Sequence, residues 1–85
     1  MFFSDGVESS GWCLNLQGLD QNSGVEYLER GLSKLECWDI CKRKVGVTAC
    51  EFKSDENDAN NSVCTVHKEG VSRGNGYFNH VCLVL

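Results

Sequence analysis

The sequence predicts a small, disulfide-rich α+β domain in which one α-helix packs on an antiparallel sheet of about five strands. The chain has 85 residues and six cysteines, an even number that is typical of a disulfide framework. A capping signal at Ser33 opens a single amphipathic helix. Short runs that alternate apolar and polar residues lie on both sides of this helix, as half-buried strands do.

A chain of this length forms one domain with a thin core, because it buries only about 60–65% of the surface that its unfolded form exposes. Disulfides, each worth about 2–4 kcal/mol, would supply the missing stability. They form in oxidising compartments, so we expect a secreted or extracellular protein. Residues 1–3 are too few for a signal-peptide core, so we expect that a signal peptide is missing from this sequence.

Several functional classes are disfavoured by composition. The net charge is −4 and the Lys and Arg residues are scattered, so no basic stripe exists to bind nucleic acid. No apolar run is long enough for a membrane span, so we expect no membrane insertion. A zinc site is disfavoured because no C-x-x-C or H-x(3-5)-H spacing accompanies His67 and His80. We expect no metal and no other cofactor.

The amino-terminal part of the chain predicts a loose end followed by two short strands. Residues 1–10 are mostly polar and should form a flexible segment, so that the single domain spans residues 11–85. From residue 12 to residue 17, apolar and other residues alternate, which predicts a strand with Cys13 facing away from the apolar side. Turn-forming residues then lead to a short extended run over residues 25–28.

The helix is the best-defined element. Ser33-x-x-Glu36 is a capping box, and residues 42–44, Lys-Arg-Lys, stand where the helix dipole favours positive charge. Cys37 and Cys41 lie four residues apart and therefore on one helix face. A bridge between them is disfavoured, because side chains one turn apart project in parallel, whereas bridged β-carbons must face each other. Both cysteines should therefore reach the sheet.

Two alternating segments after the helix, residues 49–53 and 63–67, predict a hairpin that packs against it. Its inward residues are Cys50, Phe52, Cys64 and Val66. A last strand runs from Asn79 to Leu85 and carries Cys82. The nearest inward partners for the helical cysteines are then those of the hairpin, which leaves Cys13 and Cys82 for each other. Spacing alone does not choose which helical cysteine joins which hairpin cysteine.

Three segments resemble the PAN or apple domain family. LECWDIC is similar to the family's helical C-x-x-x-C, ACEF to its C-x-F or C-x-Y strand, and CTVHKEGVSRGNGYFNHVC to its closing segment. The resemblance covers about Gly11 to Leu85 and implies one helix on an antiparallel sheet. It also implies three disulfides: Cys37 with Cys64, Cys41 with Cys50, and Cys13 with Cys82. Family members bind proteins or carbohydrates, and several are lectin-like.

The sequence offers little for catalysis. An enzyme needs a nucleophile or an acid–base pair in a pocket. If all six cysteines pair, no thiolate remains, and no nucleophile elbow surrounds Ser72 near His67. We therefore predict a non-enzymatic module that recognises an extracellular protein or glycan, in a lectin-like or adhesive role.

Candidate ligand-binding side chains lie between His67 and His80. Sugar binding needs an aromatic face for stacking and planar groups that hydrogen-bond hydroxyls. This stretch supplies both kinds of group in His67, Glu69, Arg73, Asn75, Tyr77 and Asn79. The competing interpretation places Tyr77 in the core and assigns Asn75 only to a turn.

The hairpin loop, Ser54 to Ser62, is acidic and polar. Its Asn60-Asn61-Ser62 sequence is an acceptor for N-glycosylation at Asn60. A calcium site is disfavoured, because Val63 stands where an EF-hand-like loop needs glycine. The oxygen ligands weighed for that site are Asp55, Glu56, Asp58 and Asn60.

An alternative function uses the same loop. A stand-alone effector, such as a toxin, a protease inhibitor or a pheromone-like signal, would present a rigid exposed loop, and this is the only long candidate. The loop contains no Lys or Arg for a trypsin-like pocket.

Overall fold

The computed structural model describes residues 6–19, 24–76 and 79–85, which form one α-helix and seven β-strands. The helix α1 spans Lys34–Lys42, and a short 3-10 helix spans Ala59–Asn61. The strands are β1 (Val7–Ser10), β2 (Cys13–Asn15), β3 (Val25–Tyr27), β4 (Ala49–Lys53), β5 (Val63–His67), β6 (Val71–Gly74) and β7 (His80–Val84). Five strands form an antiparallel sheet in the order β1-β7-β4-β5-β3, and β2 pairs with β6 in a second one. The predicted α+β class with a five-stranded sheet is confirmed.

The capping box that opens α1 forms as predicted. The Ser33 hydroxyl accepts from the Glu36 amide at 3.1 Å, and the Glu36 carboxylate accepts from the Ser33 amide at 2.9 Å. The buried residues of the helix are Cys37, Trp38 and Cys41, which contact β4 and β5. Val45 follows the end of the helix at Lys42 and is 91% exposed. Within the described residues no helix is long and apolar enough to cross a membrane.

The first core lies between α1 and the five-stranded sheet. The inward residues predicted for the hairpin, Cys50, Phe52, Cys64 and Val66, are all buried there. Trp38 meets Phe52 edge to face, with ring centroids 6.4 Å apart. The alternation of β4 and β5 therefore points one set of side chains to the helix and leaves the other set for the opposite face.

The second core lies on that opposite face, under the small β2–β6 sheet. Cys13, Ala49, Val71 and Cys82 are buried in it. The molecule thus has three layers, whereas the sequence predicted two. The predicted strand over residues 12–17 shortens to β2, and Leu16 is exposed rather than inward.

The amino-terminal strand β1 differs from the flexible segment expected over residues 1–10. Val7 to Ser10 pair with β7 along the edge of the large sheet, so regular structure begins before Gly11. The indole Nε1 of Trp38 donates to Glu8 Oε1 at 2.7 Å, which ties β1 to the helix as well. Residues 1–5 of that segment lie outside the described residues.

Three disulfides connect the layers: Cys37 with Cys64, Cys41 with Cys50, and Cys13 with Cys82. These are the pairs that the family resemblance implies. Two of them join α1 to the hairpin, and the third joins the β2–β6 sheet to β7. All six sulfurs are used, since no cysteine is free. Three disulfides in so small a domain indicate folding in an oxidising compartment.

Candidate functional site

His67, one of the six residues predicted to bind a ligand, lies inside the protein. It is 1% exposed in the second core, with its Nε2 3.2 Å from Glu51 Oε1. The alternation of β5 puts His67 on the sheet face that β2 and β6 cover. The sequence did not predict that cover, so the assignment of His67 to an exposed site is corrected.

The other predicted residues do not form one cluster. Glu69 is exposed beyond the end of β5, where its side chain lies beside Gly24. Asn79 is half-buried in a left-handed conformation, φ 65°, and its carbonyl accepts from the Ser54 amide at 2.9 Å. Tyr77 lies outside the described residues. Arg73 and Asn75 remain as the pair that shares one surface.

Arg73 and Asn75 line a shallow cleft of about 410 Å³, which we name the β1–β6 cleft. Its wall consists of Ser9 and Ser10 of β1, Leu14 of β2, Gly18, and residues 73–76 at the end of β6. Leu14 is buried and forms an apolar floor. The remaining lining groups are polar or backbone, so the cleft combines one apolar contact with several groups that can hydrogen-bond.

Hydrogen bonds between β1 and the end of β6 hold this cleft in shape. The Gly74 amide donates to Ser9 Oγ at 2.6 Å, and the Gly76 amide donates to the Ser10 carbonyl at 2.8 Å. The approach requires glycine at position 74, because a β-carbon there would lie 2.2 Å from the Ser10 carbonyl oxygen. The cleft therefore rests on strands and tight contacts rather than on a free loop.

Asn75 contributes to the same framework. Its amide donates to the Trp12 carbonyl at 3.0 Å, and its Oδ1 accepts from the Trp12 amide at 3.0 Å. Trp12 in turn meets His80 edge to face, with centroids 5.0 Å apart. Asn75 thus shapes the turn, as the competing interpretation expected, while it also lines the cleft.

Arg73 supplies the positive charge of the cleft. Arg73 is exposed, and within the described part of the chain it forms no ion pair. Other cations are engaged: Arg43 pairs with Asp39, and Lys44 and Lys68 both pair with Glu26. A guanidinium presents several N–H donors in one plane, which suits carboxylate, carbonyl or hydroxyl oxygens of a ligand.

Glu51 is a polar residue whose role the sequence missed. It lies on β4, accepts from the Cys13 amide at 2.9 Å and contacts His67. The Nδ1 atom of His67 is buried and has no hydrogen-bond partner within the part of the chain that the structure describes. The alternating pattern of β4 places Glu51 on the sheet face opposite to Cys50 and Phe52. The sequence did not predict that this face is covered, because β2 and β6 are too short to give a recognisable strand pattern.

The acidic loop between β4 and β5 uses its side chains on itself. Asp55 Oδ1 accepts from the Asn57 amide at 2.9 Å, and Asp58 Oδ1 accepts from the Asn60 amide at 3.0 Å. The Asn57 amide, followed by the Asn61 side chain, lowers the pKa of Asp55. These oxygens cap turns rather than converge on a common point. Asn60 itself is exposed, so the glycosylation acceptor is accessible.

Comparison of the chain with protein-family models, with curated proteins and with solved structures found no match. The fold and its bridges define the class: a small α+β domain with three disulfides, one helix and two antiparallel sheets.

Proposed function

We propose that this chain is a secreted or cell-surface binding module of the PAN/apple type that recognises an extracellular protein or carbohydrate without catalysis. The β1–β6 cleft is the observation that carries the proposal. It places the guanidinium-bearing Arg73 beside the serines of β1 and above the apolar Leu14. The amide of Asn75 completes the polar rim.

The rigidity of this cleft supports recognition. Its groups stand on β1, β2 and β6, and a site on strands keeps its geometry better than a site on loops. Each of these strands is tied to a neighbour, β1 to β7 and β2 to β6, and the Cys13–Cys82 bridge joins the two sheets. A ligand would therefore meet preorganised groups, which reduces the entropy lost on binding.

The chemistry of the rim supports a polar ligand with an apolar face. A sugar ring or a short peptide segment presents hydroxyls or amides to Arg73, Ser10 and Asn75, and presents C–H groups to Leu14. The cysteine and histidine side chains that could serve in catalysis are bridged or buried. All six cysteines are bridged, and both His67 and His80 are buried.

The test compares two arginines. Arg73→Gln removes the charge of the cleft, whereas Arg43→Gln removes a charge on the helix that is paired with Asp39. Glycan arrays and pull-downs with extracellular proteins identify the ligand for the unmodified chain. We then expect R73Q to weaken binding at least about tenfold, as truncation of a central arginine does, and R43Q to bind normally. Equal binding by R73Q, or binding that survives full reduction of the disulfides, would refute the proposal.

A stand-alone effector remains the second candidate because hydrogen bonds to the segment before the helix hold the end of the Ser54–Ser62 loop in place. Arg30 Nη1 donates to Asn61 Oδ1 at 3.0 Å, and Ser62 Oγ donates to the Leu32 carbonyl at 2.7 Å. Protease inhibitors present such fixed loops. Inhibition of a protease panel by the intact chain, lost when the loop is replaced by Gly-Ser residues, would favour this candidate, and no inhibition would exclude that version of it.

A further inference from the structure

Three potential metal ligands converge in the second core. The Sγ atom of Cys13, a carboxylate oxygen of Glu51 and a ring nitrogen of His67 all lie within 4.8 Å of one another. They belong to β2, β4 and β5, and no local spacing connects them. Zinc is bound by thiolate, imidazole and carboxylate groups, which are the three kinds present here.

We propose that opening the Cys13–Cys82 disulfide converts the second core into a zinc site formed by Cys13, Glu51 and His67. Cys82 supplies the fourth ligand, because it pairs with Glu51 in the register between β4 and β7 and its sulfur is released beside Cys13. The oxidised protein does not bind zinc there, since a thiolate is the ligand and both sulfurs are consumed by the bridge.

The environment of these groups favours coordination. His67 is 1% exposed, and among the described residues its Nδ1 has no hydrogen-bond partner, so a ring nitrogen is available. Glu51 is held in place by the Cys13 amide at 2.9 Å. A buried polar atom without a partner is costly, so His67 is a group whose hydrogen-bonding capacity the described residues do not satisfy. The β-strands that carry these residues fix their backbone positions before any metal arrives.

The chemical step is a thiol–disulfide exchange with a dithiol reductant. Two electrons and two protons pass from the dithiol to the sulfurs of Cys13 and Cys82, and the dithiol becomes a cyclic disulfide. Zinc then displaces the two thiol protons as the thiolates bind it. Zinc binding therefore opposes reoxidation of this bridge.

The experiment uses Cys82→Ser, which frees Cys13 without any reductant and leaves the two helix bridges intact. In this variant Cys13, Glu51 and His67 are the protein ligands, and water takes the position of Cys82. Cobalt(II) serves as the probe, because tetrahedral cobalt bound to thiolate absorbs both in the near ultraviolet and in the visible. We expect C82S to give these bands with one equivalent of cobalt, zinc to displace them, and the oxidised unmodified chain to give none. Adding His67→Ala to C82S should reduce the affinity at least about tenfold, since even outer-sphere partners contribute that much.

The matched control is Cys64→Ser, which frees Cys37 in the first core. Cys37 does not belong to the cluster of potential metal ligands found among the described residues, so C64S should bind cobalt no more tightly than the unmodified chain. Absence of thiolate–cobalt bands in folded C82S, or equal bands in C64S, would overturn the proposal. If C82S is unfolded without metal, recovery of its circular dichroism with cobalt or zinc would support the site, and no recovery would contradict it.

Discussion

Glu51 and His67 form a polar pair between the two sheets, with Glu51 Oε1 3.2 Å from His67 Nε2. The same carboxylate oxygen accepts from the Cys13 amide, so one side chain on β4 connects β5 and β2. The pair lies on the sheet face away from the helix, beside the Cys13–Cys82 bridge. The pair joins the small sheet to the large one by hydrogen bonds, and the neighbouring disulfide joins the same two sheets covalently.

We predict that removing this carboxylate destabilises the protein. Glu51→Ala leaves the Cys13 amide and His67 without their partner, and an unsatisfied buried group costs about 1–3 kcal/mol. Urea unfolding with the disulfides intact measures the loss. Glu56→Ala, in the exposed loop, is the control. If E51A and E56A unfold at the same urea concentration, the pair does not stabilise the fold.

The three bridges should contribute unequally. The Cys13–Cys82 bridge joins residues 69 positions apart in the sequence, and the Cys41–Cys50 bridge joins residues 9 positions apart. Chain entropy then gives about 4.4 kcal/mol for the first and about 2.6 kcal/mol for the second. The free energy of unfolding should therefore fall by about 2 kcal/mol more for C13S/C82S than for C41S/C50S. The reverse order would show that native-state packing, not loop closure, sets their value.

The capping box predicts a pH dependence. The Ser33 amide, and then the Ser33 side chain, lower the pKa of Glu36 below its ordinary value of 4.5. A lowered pKa means that the carboxylate stabilises the fold above 4.5, and that this contribution disappears as the pH falls through the folded-state value. Glu36→Gln keeps the hydrogen bond but not the charge. The melting-temperature difference between the native chain and E36Q should shrink in acid, and a constant difference would contradict the assignment.

Gly74 should be far less tolerant of substitution than Gly70. A β-carbon at Gly74 meets the backbone of Ser10, whereas one at Gly70 meets only the side chain of Leu16, which is exposed and can move. We expect Gly74→Ala to cost about 1–3 kcal/mol, as overpacking does, and to abolish ligand binding at the β1–β6 cleft. Gly70→Ala should be close to neutral. Calorimetry on both variants tests this, and equal melting temperatures would show that β1 is not clamped to β6.

Asn60 should carry a glycan when the chain is expressed through a eukaryotic secretory pathway. Its exposed position in the 3-10 helix supports this expectation. Asn60→Gln is the suitable control, because Ser62→Ala would also remove a buried hydrogen bond to Leu32. A mobility shift on glycosidase treatment, absent in N60Q, measures the modification, and an unmodified secreted chain would refute the prediction.

Sequence patterns predicted the elements that depend on near neighbours. The capping box fixed the start of α1 because Ser33 and Glu36 satisfy each other's backbone within one turn. Alternation in β4 and β5 identified the side chains that face the helix, since period 2 is a local property of an extended chain. The capping box, the hairpin and its inward cysteines were therefore accessible from sequence.

Nonlocal pairing accounts for what was missed. Strand β1 forms only because β7 offers it an open edge, and β2 has three residues that pair with β6 from the far end of the chain. Strands this short carry too little pattern to reveal their partners. The burial of His67, and with it the correction to the predicted site, follows from the second sheet that they build.

The amino-acid sequence by itself thus determined the α+β class, the helix with its cap, and the hairpin with the cysteines that face the helix, because each depends on residues a few positions apart. Only the tertiary structure decided which side chains are accessible to a ligand. It buried His67 against Glu51 and left Arg73 and Asn75 on one cleft. The physical reason is that exposure depends on what covers a surface, and here the cover comes from strands more than 50 residues apart in the chain.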